Sequence, residues 1–259
     1  MIGTIARHEG AAQLRSVPSW LIAAALAATL GYLFLQQLEN WLAVQSQLAL
    51  QDHPPGLTGF LAARFLAPLA MLFSVIAPLF AMRAFSDEFR LGTFALWQSS
   101  PVSDTSLVLG KFVGVLPVPL GAVALAVAMV ASMGVFVDVD VATLALAGLG
   151  LTLSTLACTS VGLYFSSLTR QATIAVLAAL AFLLLLWLLG SGADAVGAAS
   201  GAEGALSPAP LRALAIGERL GGFFQGYVRS GDVLYLVLLT ALFLSLTVVR
   251  VGSLRHAES

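Results

Sequence analysis

The sequence predicts an all-α membrane protein with six transmembrane helices, and two observations lead to this fold class. The 259 residues are 59% hydrophobic and only 10% charged, with a mean hydropathy of +0.96, whereas soluble domains carry about 25% charged residues. Six long stretches of the chain also lack Asp, Glu, Lys, Arg and His. Each stretch has at least the roughly 17 residues that a helix needs to cross the hydrocarbon of a bilayer.

The uncharged stretches define the predicted spans. They are residues 16–38, 65–82, 112–137, 141–169, 171–193 and 233–249. Pro117 and Pro119 predict a kink near the start of the third span, because each proline removes a backbone donor. Arg170 and its polar neighbours predict a tight turn at a headgroup surface between the fourth and fifth spans. Residues 39–64 are predicted as an external loop.

The distribution of basic residues predicts the orientation of the chain in the membrane. Cytoplasmic loops carry an excess of Lys and Arg. With the N-terminus inside, eight of the 12 basic residues lie on the cytoplasmic side. These eight are Arg7, Arg15, Arg83, Arg90, Lys111, Arg170, Arg250 and Arg255. We therefore expect both termini in the cytoplasm.

The uncharged spans disfavour several classes of function. An ion-coupled secondary transporter usually carries a carboxylate or histidine within the membrane, and the predicted spans contain neither. A serine hydrolase needs a base beside its nucleophile, which the spans do not offer to Ser154 or Ser160. The net charge of −1 gives no basic surface for nucleic acid, and the single cysteine, Cys158, excludes an internal disulfide or a Cys-based zinc cluster.

The chain also lacks the phosphate-binding loop of nucleotide hydrolases. That loop has the pattern G-x-x-x-x-G-K-[ST], whereas Gly110-Lys111 is followed by Phe112 and Thr105 stands where the first glycine belongs. We expect no catalytic residue, no metal site and no cofactor site in this chain. Any energy for a transport function would have to come from another molecule.

The segment between the second and third spans predicts a short amphipathic helix on the cytoplasmic face. Its apolar residues recur at helical spacing, and they are Phe85, Phe89, Gly92 and Leu96. Its charged residues lie away from that stripe, and they are Asp87, Glu88 and Arg90. Ser86 is expected to cap the helix start and Pro101 to stop the helix. The apolar face is expected to rest in the membrane interface, and a mere surface anchor has the same pattern.

This segment resembles the cytoplasmic signature of ABC type-2 permeases. The resemblance rests on D-E-F-R-L-G-T at 87–93, S-S-P-V-S at 99–103 and V-L-G-K-F at 108–112. The positions that match the family pattern are Glu88, Arg90, Gly92, Thr93, Pro101, Gly110 and Lys111. Weaker similarity at 165–171 and 231–235 extends the resemblance over residues 5–250, the latter segment resembling permeases of gliding-motility-type exporters. The Ala/Gly-rich stretch 194–204 departs from the family.

The resemblance implies a single permease domain, 1–259, that forms the translocation path of an ATP-driven exporter. Residues 1–18 would form an elbow segment, 84–100 the coupling helix and 194–231 an external loop with re-entrant helices. The residues implied to contact the ATPase are Phe85, Asp87, Glu88, Phe89, Arg90, Gly92, Thr93 and Leu96. Those implied to shape the coupling loop are Pro101, Gly110 and Lys111.

The resemblance also implies partners and location. ATP and Mg would bind to separate cytoplasmic ABC ATPase subunits, and a second permease copy or a related membrane subunit would complete the path. An accessory extracytoplasmic protein and the lipid bilayer are further expected partners, in a bacterial cytoplasmic (inner) membrane. Two other functions remain open: a membrane scaffold that transports nothing, and an ion-coupled secondary transporter.

Two structural alternatives stay open at this point. The aromatic, glycine-broken stretch 221–227 fits either a re-entrant helix or an interfacial anchor. The pairs Gly110/Gly114 and Gly148/Gly150 allow helices to approach closely, either within the subunit or against a partner.

Overall fold

A computed structural model describes residues 2–48, 56–93, 102–200 and 209–257, and this part of the chain is helical without a strand. The first helices are α1 (Ile2–Arg15), α2 (Val17–Leu48), α3 (Leu57–Leu61), a π-helical turn (Ala62–Leu66), α4 (Ala67–Ala81) and α5 (Arg83–Leu91). The later ones are α6 (Asp104–Val115), α7 (Pro117–Ser132), a 3₁₀ turn (Met133–Val135), α8 (Val141–Leu168), α9 (Ala172–Ser200), α10 (Ala209–Leu214), α11 (Ile216–Phe224) and α12 (Ser230–Ala257).

Six segments of the described helices are long and apolar enough to cross a membrane, which confirms the predicted number. They are Val17–Gln45, Leu57–Leu91, Pro117–Val135, Val141–Leu168, Ala172–Gly192 and Ser230–Leu254. The second segment begins eight residues before its predicted start. The external loop predicted at 39–64 is correspondingly shorter, because helices α2 and α3 extend into it. The predicted span began after Arg64 because that residue is charged. In the structure the Arg64 side chain is exposed, and the helical segment continues through it.

The chain is broken where the prolines predict, and the third span begins after the break, at Pro117 and not at residue 112. Helix α6 ends at Val115 and helix α7 begins at Pro117, with Leu116 between them. Ser103 caps the start of α6, its hydroxyl accepting a hydrogen bond from the Ser106 backbone N–H at 3.4 Å. Helix α6 therefore precedes the third span, and it packs along α1.

Helix α8 lies at the centre of the bundle and packs against α4, α7, α9, α11 and α12. Small residues allow these approaches: a Cβ added at Gly150 would lie 2.8 Å from the Phe223 side chain, and one at Gly148 would lie 3.3 Å from Val127. Within the described residues, this glycine pair packs inside the subunit.

Most of the segment predicted as an elbow, residues 1–18, forms helix α1, which lies along α6. A Cβ at Gly110 would lie 2.8 Å from Ile5, and one at Gly114 would lie 2.5 Å from the Glu9 side chain. Both glycines are therefore needed for the close packing of α1 on α6. The second small-residue pair thus also packs within the subunit.

The predicted external loop contains helices α10 and α11. Phe223 and Phe224 are buried in the protein core, whereas Tyr227 is exposed. The two phenylalanines are thus not interfacial anchors, because protein rather than lipid surrounds them. Helix α9 runs to Ser200 and so takes up the first residues of the segment predicted as loop.

Candidate functional site

Helix α5 carries most of the predicted site residues, but it is shorter than expected. It begins directly after a one-residue turn at Met82 and ends at Leu91. Gly92 has φ 71°, a left-handed conformation that glycine adopts without steric cost and that commonly ends helices. The predicted helix over 84–100 is therefore not continuous through Gly92, which the apolar spacing had counted as a helical position, and its part beyond residue 93 lies outside the described residues. Leu96 and Pro101 lie outside the described residues.

The apolar face of α5 packs into protein and not into the membrane interface. Phe85 is fully buried, and its ring stacks on Phe89 with centroids 6.2 Å apart. Helix α5 lies against α8, and Phe89 packs on the buried cluster that includes Phe85. The expectation that this apolar face rests in the membrane interface is therefore wrong for Phe85, and the alternative of a surface anchor stays a prediction.

The start of α5 is capped by a residue 80 positions away in the chain. The Ser166 hydroxyl, near the end of α8, accepts hydrogen bonds from the backbone N–H groups of Phe85 at 3.1 Å and Ser86 at 3.2 Å. It also donates to the Met82 carbonyl at 2.7 Å. Ser86 was predicted as the cap, but it lies inside the helix and its hydroxyl donates to the Ser166 carbonyl at 3.0 Å. The first backbone N–H groups of a helix have no partner within that helix. At the start of α5, a residue of another span supplies the missing hydrogen bonds.

Lys111 is a buried cation at the meeting point of α1, α5 and α6. Its side chain is 1% exposed, and its Nζ lies 2.8 Å from Glu88 Oε1 and 3.4 Å from Glu9 Oε2. The same Nζ donates to the Ala84 carbonyl at 2.6 Å and lies 5.2 Å from the centre of the Phe85 ring. A buried charge is tolerated when it is paired and hydrogen-bonded. Lys111 therefore fastens α5 both to α6 and to α1.

The structure brings four of the predicted site residues together: Phe85, Glu88, Phe89 and Lys111. The others lie apart from this cluster. Arg90 and Asp87 form an exposed pair at 3.4 Å, while Gly92 and Thr93 are exposed at the helix end. Gly110 packs on α1 and not on α5.

Sequence reasoning missed Glu9 and Ser166. Nothing in the local pattern of α1 separates Glu9 from an ordinary surface acid. Ser166 belongs to the polar stretch between the fourth and fifth spans, and that stretch was the only feature of the sequence that could have pointed to it.

A second short helix is fastened at the opposite end of the bundle. Arg219 of α11 donates to Asp232 at 3.0 Å and to the Ala213 carbonyl through two nitrogens, at 3.2 and 3.0 Å. The Tyr235 hydroxyl donates to the Leu214 carbonyl at 2.7 Å. These contacts tie α10 and α11 to the start of α12.

Among the residues that the structure describes, no group of three or more His, Cys, Asp or Glu side chains is placed to hold a metal ion. Six of the described helical segments are long and apolar enough to cross a membrane, which is the architecture of a multi-pass membrane protein. A family model described as "ABC-2 family transporter protein" matches residues 4–251, so the chain belongs to the ABC-2 transporter family of permeases. No curated protein matches the chain.

Proposed function

We propose that this chain is the permease subunit of an ABC exporter and that α5 is the element through which a separate cytoplasmic ATPase acts on it. The chain contributes the translocation path, and the ATPase supplies the energy. The main support is the Lys111 contact set, because it joins α5 to α6, the helix that precedes the third span, and to α1 by short, buried contacts. A force applied to α5 would reach three helices without a flexible link.

The exposed end of α5 is the proposed docking surface for the ATPase. It consists of Arg90, Leu91, Gly92 and Thr93, which are all exposed. The Arg90 side chain is 64% exposed, so it is available to a partner carboxylate. The excess of basic residues on this side of the chain supports a cytoplasmic position.

The proposed assembly contains two ATPase subunits and a second permease copy or a related membrane subunit. An accessory extracytoplasmic protein would contact the end formed by α10 and α11. The location that fits this assembly is a bacterial inner membrane, with both termini of the chain in the cytoplasm. The similarity to gliding-motility-type permeases stays a prediction.

The test is co-purification of the tagged chain with its ATPase in mild detergent, followed by reconstitution and measurement of ATP hydrolysis. Arg90→Glu should weaken the complex and lower the hydrolysis that the permease stimulates. The matched control is Arg229→Glu, which reverses an exposed arginine on the α11 side. Equal ATPase binding and stimulation in both variants would contradict the assignment of α5. A complex that forms without stimulated hydrolysis would favour a scaffold.

A further inference from the structure

Two cavities adjoin at the junction of α1 and α2. One has a volume of about 320 Å³ and lies beside Lys111; the other has a volume of about 420 Å³ and lies between α2 and α7. Gln13 and Ser19 line both cavities. Each volume falls in the range of about 300–1,000 Å³ that is typical of small-molecule sites.

The larger cavity has an apolar lining and borders the lipid-facing surface. Trp20 and Leu125, both exposed on that surface, line it from α2 and α7. Ala24, Gly121 and Ala122 leave its floor without large side chains. An acyl chain of a bilayer lipid matches this chemistry, since the cavity lies on a membrane span and buries hydrocarbon.

The smaller cavity carries charges of both signs. Three carboxylates line it, those of Glu9, Asp87 and Glu88, against the two cations of Arg83 and Lys111. Because Lys111 is already engaged by Glu88 and Glu9, Arg83 is the cation better placed for a ligand anion. An arginine suits a phosphate, and the excess of carboxylates suits a positively charged group on the same ligand.

Gln13 adds a requirement for a hydrogen-bond donor between the two cavities. Its Oε1 is buried and accepts no hydrogen bond from the residues that the structure describes. Buried polar atoms are rarely left unsatisfied. A primary ammonium carries three N–H donors, whereas a quaternary ammonium carries none.

We propose that these adjoining cavities form a binding site for a phospholipid with a primary amine headgroup, of the phosphatidylethanolamine type. An acyl chain occupies the groove between α2 and α7. The phosphate lies near Arg83, and the ammonium lies among Asp87, Glu9 and Gln13. The lipid thus packs between the elbow helix and the end of the bundle that carries α5.

The headgroup assignment is tested by lipid competition on the full chain. The protein is reconstituted in bilayers of equal parts phosphatidylethanolamine, phosphatidylcholine and phosphatidylglycerol, extracted in mild detergent and washed, and the retained lipids are counted by mass spectrometry. Phosphatidylethanolamine should be enriched about tenfold over both others, as expected for one charge-assisted hydrogen bond. Phosphatidylcholine lacks the N–H donors, and phosphatidylglycerol lacks the positive charge. Equal retention of the three lipids would overturn the proposal.

The position of the site is tested with a pair of glycine variants. Gly121→Leu places a side chain in the groove, and a Cβ at Gly121 meets no atom within 4 Å, so the variant should fold. Gly59→Leu is the matched control, because its Cβ is equally free and it does not line either cavity. Gly121→Leu should lose the retained phosphatidylethanolamine, and Gly59→Leu should keep it. Equal retention in the two variants would contradict the assigned groove. Asp87→Asn should reduce the preference over phosphatidylglycerol, because it removes one of the two carboxylates assigned to the ammonium, and an unchanged preference would contradict the headgroup assignment.

Discussion

At each end of the bundle a salt bridge holds a short helix in place, but the cation of that salt bridge is much more buried at one end than at the other. At the α5 end, Lys111 is 1% exposed and contacts two carboxylates and a carbonyl. At the α11 end, the Arg219 side chain is 29% exposed and pairs with one carboxylate. Water can replace a partner of Arg219, whereas it reaches Lys111 poorly. The comparison indicates that α5 is held rigidly on its spans, while α11 can shift at lower cost.

The largest expected difference between the ends comes from removing each cation. Lys111→Met should lower the free energy of unfolding by about 3 kcal/mol, because it leaves the partly buried carboxylates of Glu88 and Glu9 without their counter-charge. Arg219→Met should cost less, about 2 kcal/mol, because it leaves one buried carboxylate, that of Asp232, without its counter-charge, whereas Lys111→Met leaves two. Unfolding in mixed micelles measures both values. Similar losses in the two variants would contradict the contrast between the ends.

The next prediction separates the two carboxylates of Lys111. Glu88→Gln should cost about 1–3 kcal/mol, as expected for a hydrogen bond to a charged group. Glu9→Gln should cost less, because its oxygen is 3.4 Å from Nζ and not 2.8 Å. A double-mutant cycle with Lys111→Met measures the coupling energy of each pair. A larger coupling energy for Glu9 than for Glu88 would show that the two distances to Nζ do not predict which contact is stronger.

A third prediction concerns the cap that α8 supplies to α5. Ser166→Ala should cost about 1 kcal/mol, as other losses of a helix cap do, and should increase hydrogen exchange at the first amides of α5. Ser167→Ala is the matched control, because its buried hydroxyl donates to the Tyr164 carbonyl of its own helix. Exchange in α5 that is equally fast in both variants would contradict the role of Ser166.

The number of spans and the helix break before Pro117 could be predicted from sequence because both depend on local properties. Hydropathy over about 20 residues identifies a span, and Pro117 removes a donor wherever it occurs. The motif likewise pointed to Glu88 and Lys111. Their contact could not be predicted, because residues 23 positions apart meet only after the second and third spans have packed.

The end of α5 and its cap show where local patterns fail. The spacing of apolar residues continues beyond Gly92, but the backbone turns there into a left-handed conformation. Ser86 has the residue type of a cap, yet Ser166 performs that role from another helix. Both outcomes depend on tertiary packing, which overrides the local preference of a residue to continue or to cap a helix.

The smallest expected effect concerns the start of α8, at the same end of the bundle as α11. The pKa of Asp140 lies below its usual value of 3.8, mainly because Thr143 donates to its carboxylate through its hydroxyl, and also through the backbone. A lowered carboxyl pKa stabilises the folded state above the unfolded pKa, and this contribution is lost as the pH falls through the folded pKa. The wild-type protein should therefore lose some stability below about pH 4 that Asp140→Asn, which does not titrate, never had. The difference between the unfolding midpoints of the two proteins should be full at about pH 6 and should narrow as the pH falls below about 4. A constant difference over that range would show that ionisation of Asp140 does not stabilise this helix start.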